Sequence, residues 1–221
     1  MTDFATARRH MAESQIRPDR VWNARILAAM SSVARERFVP DDMRSWAYAD
    51  REIPLASGRA LLSPRVLARL AEAAHIRADH SLLDVGCATG YSSAVLAQSA
   101  QLVVALEEQP ELAARAEQAL LEEECDNVSL VVGALAEGHA KQQPYDVIML
   151  QGSVPEPPPA LLQQLAQGGR LACVRAPHGS LQGRGGYFIR AGDHFPWFDC
   201  FDAAATPLPG FAQPAGFHFA T

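Results

Sequence analysis

The chain has 221 residues, 48% of them hydrophobic and 20% charged, which is enough apolar material for the core of one sizeable domain and excludes a disordered chain. A formal net charge of −6 and a pI near 5.6 argue against a nucleic-acid-binding surface. No segment has the length and apolarity of a membrane span, and the polar N-terminus lacks a signal-peptide stretch, so we expect a cytoplasmic protein that contacts no membrane.

The first third of the chain, from about residue 2 to 77, has a helical pattern with short interruptions. Val21, Ile26, Leu27 and Met30 recur at helical spacing and predict a face that packs into the core. The stretch AYADREIPLASGRALLSP contains proline and glycine and predicts an extended or irregular connection. A further helix is expected to begin near Pro64, because proline is favoured in the first turn of a helix.

After Ala78, short apolar runs alternate with helical segments. The predicted strands are 81–86, 102–107, 128–132, 145–150 and 170–175, and the predicted helices are 91–100, 110–124 and 159–166. This alternation predicts a largely parallel, doubly wound α/β sheet covered on both faces. Nearer the C-terminus, the Gly-rich segment 178–186 predicts a hairpin and 195–211 a further strand. We expect one domain over 1–221, with a helical extension at 1–77 and the core at 78–221.

The cysteines and histidines are scattered along the chain and show no metal-ligand spacing. Each cysteine lies in or beside an apolar run, which is typical of small buried thiols in a reducing compartment. We therefore expect no metal site. The four residues are Cys87, Cys125, Cys173 and Cys200.

The loop after the first core strand reads Gly86-Cys87-Ala88-Thr89-Gly90-Tyr91. A dinucleotide fingerprint needs glycine where Tyr91 stands, which disfavours NAD. With Asp84 two residues ahead, the spacing G-x-A-x-G instead resembles the first motif of S-adenosylmethionine methyltransferases. Ala88 replaces a commoner glycine, and we expect it to be tolerated only with a negative φ. At the end of the next strand, about 20 positions on, Glu107 can accept both ribose hydroxyls.

Motifs along most of the chain resemble protein-L-isoaspartate O-methyltransferases. They are R-x-M-x-E-x-Q from Arg9, RERFVP at 35–40, AYAD at 47–50, IPLASG at 53–58, PYDVIML at 144–150 and PLPG at 207–210. The resemblance implies a Rossmann-like methyltransferase sheet with a helical N-terminal extension and a C-terminal antiparallel hairpin. It also implies methyl transfer from S-adenosylmethionine to the α-carboxylate of an isoaspartyl residue in a damaged protein or peptide, with S-adenosylhomocysteine as product. A carboxylate is already an anion at neutral pH, so no general base is needed, and catalysis depends on positioning and desolvation.

The resemblance also assigns candidate residues to the two sides of the site. The cofactor side comprises Asp84, Gly86, Cys87, Ala88, Gly90, Tyr91, Glu107, Glu108, Ala134, Leu135 and Gln151. The substrate side comprises Ile53, Leu55, Gly58, Arg59, Ala60 and Leu62, with Ser63 as the candidate catalytic hydroxyl.

Several positions depart from the family's pattern. Its substrate loop reads G-Q-T-I-S-x-P, where this chain has GRALLSP, so Ala60 and Leu62 lack the expected hydroxyls and Ser63 serves only if the loop is shifted. Arg59 suits a carboxylate-bearing substrate, because a guanidinium matches carboxylate geometry. A family G-D-G near the adenine becomes GAL at 133–135, and Gln151 stands in place of threonine, where it can bond the cofactor or the substrate.

These departures leave three functions open. The first is isoaspartyl repair with an altered loop, and the second is methylation of another, small carboxylate held by Arg59. The third is S-adenosylmethionine binding or partner binding without catalysis. The acceptor that is methylated distinguishes them. An isoaspartyl peptide indicates repair, a small acid indicates the second function, and no methylated acceptor indicates the third.

Overall fold

The computed structural model describes residues 3–177 and 180–211. Its helices are α1 (Phe4–His10), α2 (Ala24–Ser32), α3 (Pro64–Ala74), α4 (Tyr91–Ala97), α5 (Pro110–Glu122) and α6 (Pro159–Leu162). Its strands are β1 (Ile53–Pro54), β2 (Ala60–Leu61), β3 (Ser81–Val85), β4 (Leu102–Glu107), β5 (Val128–Val132), β6 (Tyr145–Val154), β7 (Leu165–Arg175), β8 (Gln182–Ile189) and β9 (Trp197–Ala204). Within these described ranges, no helix is long and apolar enough to cross a membrane.

Seven strands form the central sheet in the order β5-β4-β3-β6-β7-β8-β9. Strands β3 to β7 run parallel, and β8 and β9 are antiparallel additions at one edge. The chain builds outward from β3 to β5 and then crosses to β6 on the other side of β3. This reversal of strand order creates a crevice at the carboxyl ends of β3 and β6, where open α/β sheets bind their ligands. The predicted α/β sheet with its C-terminal hairpin is confirmed.

Successive residues of the inner strands enter two different apolar clusters. Leu82 packs into the cluster that contains α2, α3, α4 and α5, whereas Leu83 packs into the cluster that contains α6 and Leu208. This alternation is the period-2 geometry of a strand with both faces covered. The inner strands of the sheet are therefore buried on both faces.

The N-terminal segment packs as the helical spacing predicts. Val21, Ile26 and Met30 are fully buried and Leu27 is half-buried. The extended connection that follows contains the short antiparallel pair β1–β2, in which Ile53 lies opposite Leu61, and a 3-10 turn at Ala56–Gly58 between the two strands.

Arg35 holds this connection against the core. Its guanidinium is completely buried and donates to the carbonyl oxygens of Ala47 and Leu62, each at 2.8 Å. It also lies over the ring of Tyr91, 4.5 Å from the ring centroid. Nearby, the hydroxyl of Thr89 donates to the carbonyl oxygen of Phe38 at 2.6 Å. These contacts tie the N-terminal segment to the loop between β3 and α4.

Several element boundaries differ from the prediction; the helices expected at 91–100 and 110–124, for example, end at Ala97 and Glu122. The strand expected at 145–150 continues to Val154, and the helix expected at 159–166 ends at Leu162 because β7 already begins at Leu165, which pairs with Tyr145. The Gly-rich segment forms the start of β8 as well as the turn. A side chain at Gly183 would collide with the carbonyl oxygen of Arg175 on the paired strand, so glycine is needed there for close pairing. Positions 178–179 of the predicted turn lie outside the described residues.

Candidate functional site

The loop between β3 and α4 has the left-handed turns expected of a ligand-binding loop. Gly86 and Gly90 have φ values of 77° and 93°. The expectation that Ala88 needs a negative φ is wrong, because its φ is 53°. A hydrogen bond from the Ala88 N–H to Oε2 of Glu107, at 2.8 Å, holds this conformation, which costs about 1–2 kcal/mol for a residue other than glycine.

Glu107 ends β4 and lies beside this loop, with its side chain completely buried. Its carboxylate accepts hydrogen bonds from the backbone N–H groups of Ala88, Glu108 and Gln109 at 2.8, 3.0 and 3.1 Å. Nη1 of Arg59 lies 2.8 Å from one carboxylate oxygen and 3.1 Å from the other. The predicted ribose-binding carboxylate is therefore paired with an arginine of the chain itself.

Arg59 is predicted to bind the substrate, and in the structure its guanidinium contacts Glu107 and Gly86, two residues predicted to bind the cofactor. The residue is 3% exposed, and Nη2 donates to the Gly86 carbonyl oxygen at 2.8 Å. A tight turn directs it inward, with the Leu55 N–H bonded to the Arg59 carbonyl oxygen at 2.8 Å. Arg59 thus covers both the Glu107 carboxylate and the backbone of the loop between β3 and α4.

Asp84 lies one residue before the end of β3 and is also fully satisfied by the chain. Its carboxylate accepts hydrogen bonds from Ser92, Ser93 and Gln151, each at 2.6 Å. Burial raises the pKa of Asp84 above its usual value, and the three donors partly offset that effect. Gln151, predicted to bond the cofactor or the substrate, is here a partner of Asp84.

Little open volume is left between these groups. A cavity of about 10 Å³ remains, bounded by residues that include Ala60, Leu62, Cys87 and Tyr91. That is space for about one water molecule. Leu135 and Leu208 fill the neighbouring volume, because a side chain at Gly86 would meet them within 3.5 Å. The strand-tip carboxylate and the glycine turn are groups that suit a nucleoside. While Arg59 lies between them, however, the open volume is too small to hold one.

The remaining predicted residues are distributed around this centre. The Ser63 hydroxyl caps α3 and accepts a hydrogen bond from the Val66 N–H at 3.3 Å. Tyr91 packs edge-on against Phe38, and burial raises the pKa of its hydroxyl. Burial also raises the pKa of the Cys87 thiol, so it is not a reactive thiolate. The other positions vary in exposure: Ile53 and Leu135 are buried, Leu55 and Glu108 are half-buried, and Gly58 and Ala134 are exposed.

Sequence reasoning missed three residues that shape the site. Ser92 and Ser93 lie in the first turn of α4 and bond Asp84. Small polar residues in the first turn after a glycine loop are a usable sequence signal for such partners. Leu208 belongs to the PLPG segment, which the motif comparison found without giving it a role. In the part of the chain that the structure describes, no three His, Cys, Asp or Glu side chains are grouped as metal ligands.

Comparison with known proteins assigns the family. The model of the protein-L-isoaspartate(D-aspartate) O-methyltransferase family matches residues 7–180. A protein-L-isoaspartate O-methyltransferase from Koribacter versatilis is 38% identical over 190 residues, covering 86% of this chain and 84% of the relative. One from Methanoculleus marisnigri is 36% identical over 170 residues, which is 77% of each chain.

Solved structures agree in fold. A structure titled protein-L-isoaspartate O-methyltransferase superposes with a TM-score of 0.79 at 22% identity, covering 91% of this chain and 66% of that one. A Plasmodium falciparum protein described as the same kind of enzyme, solved with S-adenosylhomocysteine, superposes with a TM-score of 0.76 at 16% identity, covering 90% and 96%. The chain therefore belongs to the protein-L-isoaspartate(D-aspartate) O-methyltransferase family of S-adenosylmethionine-dependent methyltransferases.

Proposed function

We propose that this chain methylates the α-carboxylate of isoaspartyl residues in damaged proteins or peptides, using S-adenosylmethionine. The family match over residues 7–180 carries the proposal, because it includes the substrate loop as well as the cofactor motif. The strand-tip carboxylate Glu107 and the turn through Gly86 and Gly90 also lie at the edge of the sheet where ligands bind.

On the cofactor side, the chain offers a small set of binding groups. Glu107 would accept the two ribose hydroxyls, the backbone of Gly86 and Gly90 would lie against the ligand, and Ala134 and Leu135 would border the adenine. When bound, S-adenosylmethionine supplies an electrophilic methyl group on its sulfonium. Asp84, already bonded to Ser92, Ser93 and Gln151, supports the shape of the loop, and its carboxylate would favour a cationic ligand.

On the substrate side, the loop from Ile53 to Ser63 supplies the binding groups. Ala60 and Leu62 offer no side-chain donor, so the Ser63 hydroxyl is the nearest candidate in sequence to hold the carboxylate. Its oxygen accepts the Val66 N–H, which leaves its own proton available for donation. The catalytic work assigned to this loop is to orient the carboxylate and exclude water.

A labelled methyl-transfer assay tests the proposal, with an isoaspartyl peptide as acceptor and the matching aspartyl peptide as control. We expect transfer to the isoaspartyl peptide alone. Ser63→Ala should lower kcat by roughly 10²-fold if the hydroxyl stabilises the transition state. Ser31→Ala, which removes only a hydroxyl bonded within α2, is the matched control and should retain full activity. Cofactor binding without transfer to the isoaspartyl peptide would refute the repair function.

The small-acid alternative requires Arg59 to hold the acid, whereas in this structure the Arg59 guanidinium is bonded to Glu107 and Gly86. A non-catalytic family member is the second candidate, favoured by the residual cavity of about 10 Å³. The same assay separates that candidate from repair, because a non-catalytic protein transfers no methyl group to any acceptor.

A further inference from the structure

We propose that Arg59 is an internal competitor of the cofactor, and that the nucleoside binds only when Arg59 withdraws from Glu107. This inference rests on the proposed function and names the residue that limits cofactor affinity. Three observations support it. The Glu107 carboxylate is fully occupied, the Gly86 backbone is covered, and the turn before Arg59 can move locally.

The Glu107 carboxylate has no remaining capacity for a ribose. A carboxylate offers about four acceptor positions. Three backbone N–H groups and Arg59 Nη1, which is shared between the two oxygens, occupy them. The backbone donors are fixed by the loop and by the start of α5. Among the described residues, Arg59 is the one side-chain partner of this carboxylate, so it is the partner that ribose hydroxyls must replace.

Arg59 also covers the surface on which the ligand would lie. Nη2 is bonded to the Gly86 carbonyl oxygen, and it lies 2.7 Å from the position that a Cβ on Gly86 would take. Glycine at this point keeps the space over the loop free of a side chain of its own. In this chain the Arg59 guanidinium, from the loop between β1 and β2, fills that space instead.

The route of withdrawal is short. The turn at 56–58 that precedes Arg59 is exposed, and its two sides are joined by the pairs Ile53–Leu61 and Pro54–Ala60 and by the hydrogen bond from the Leu55 N–H to the Arg59 carbonyl oxygen. Moving this turn outward brings Arg59 to solvent without disturbing the central sheet. Because the competent state is then a minor one, the apparent dissociation constant is raised by the reciprocal of its population.

Calorimetric titration with S-adenosylhomocysteine tests the inference on the full-length protein. Arg59→Gln restores the residue typical of the family's loop and should bind at least about tenfold more tightly than the unsubstituted protein, a gain of about 1.4 kcal/mol. Arg59→Lys keeps a charge near Glu107 but has no forked guanidinium to reach Gly86 as well, and should be intermediate. Arg25→Gln, at an exposed position of α2, is the matched control and should bind like the unsubstituted protein.

Equal affinity of the unsubstituted protein and Arg59→Gln, within twofold, overturns the inference. If that shared affinity accompanies isoaspartyl turnover, the proposed function stands and only the competition is refuted. If neither protein binds S-adenosylhomocysteine, the inference and the proposed function both fail. A thermal melt establishes that each variant is folded, and Arg59→Lys decides the result if Arg59→Gln does not fold.

Discussion

Breaking the ion pair between Arg59 and Glu107 in the cofactor-free protein should cost far more than breaking a surface ion pair. Both side chains are at most 2% exposed, and removing one member of such a pair typically costs about 3–5 kcal/mol because the other charge stays buried. We expect Glu107→Gln to lie near the upper end of this range, since it leaves the buried Arg59 guanidinium without a carboxylate partner among the described residues. Arg59→Gln should lie near the lower end, since three backbone N–H groups still bond the carboxylate.

Urea denaturation measures these differences. With a slope of about 2 kcal/mol/M, a loss of 3–5 kcal/mol lowers the midpoint by roughly 1.5–2.5 M. The double variant Arg59→Gln/Glu107→Gln should lose less than the sum of the single losses, with a coupling of about 2 kcal/mol. Arg17→Gln, which breaks the exposed pair with Glu13, is the control and should cost less than about 0.5 kcal/mol. Single losses below about 1 kcal/mol, or additive losses, would show that the pair does not hold the site closed.

Three further variants or reagents probe the surroundings of the site. Ala88→Gly should raise the unfolding free energy by about 0.5–1 kcal/mol, because relief at a φ of 53° exceeds the entropy that glycine adds to the unfolded chain, and an unchanged or lower urea midpoint would contradict this. Thr89→Val removes the donor to the buried Phe38 carbonyl and should cost about 1–2 kcal/mol in the same assay; a neutral effect would mean that the bond contributes nothing. With iodoacetamide at pH 8, peptide mapping should find exposed Cys200 labelled before Cys125. Burial raises the pKa of Cys125 to about 11, so its thiolate fraction at this pH is about one in a thousand. Labelling in the opposite order would refute this.

The strands of the sheet could be predicted because each is marked by an apolar run within its own short stretch of sequence. The apolar runs at 102–107 and 128–132 match β4 and β5, and the acidic strand tip at Glu107 lies where the motif predicts. The boundary between α6 and β7 was not predictable from periodicity, because Leu165 satisfies either a helix or a strand and its pairing with Tyr145 is a tertiary contact.

The state of the site could not be predicted for a different reason. Arg59 and Glu107 are 48 positions apart, and each reads by itself as a group that binds a ligand. Nothing in the pattern of one sequence indicates that two such charges neutralise each other. The conformation of Ala88 is set in the same way, by its N–H bond to Glu107, and propensity alone favours the opposite sign of φ.

The clamp formed by Arg35 limits how far the neighbouring loop can travel. Because its guanidinium fixes the Leu62 carbonyl, the backbone at Arg59, three residues away, stays within about 10 Å of Leu62. A loop movement within this limit is enough to replace the Arg59 side chain by a ligand, and it requires no domain movement. Opening also breaks the buried pair with Glu107, and lid openings of this kind take microseconds to seconds, a range that overlaps ordinary enzyme turnover times.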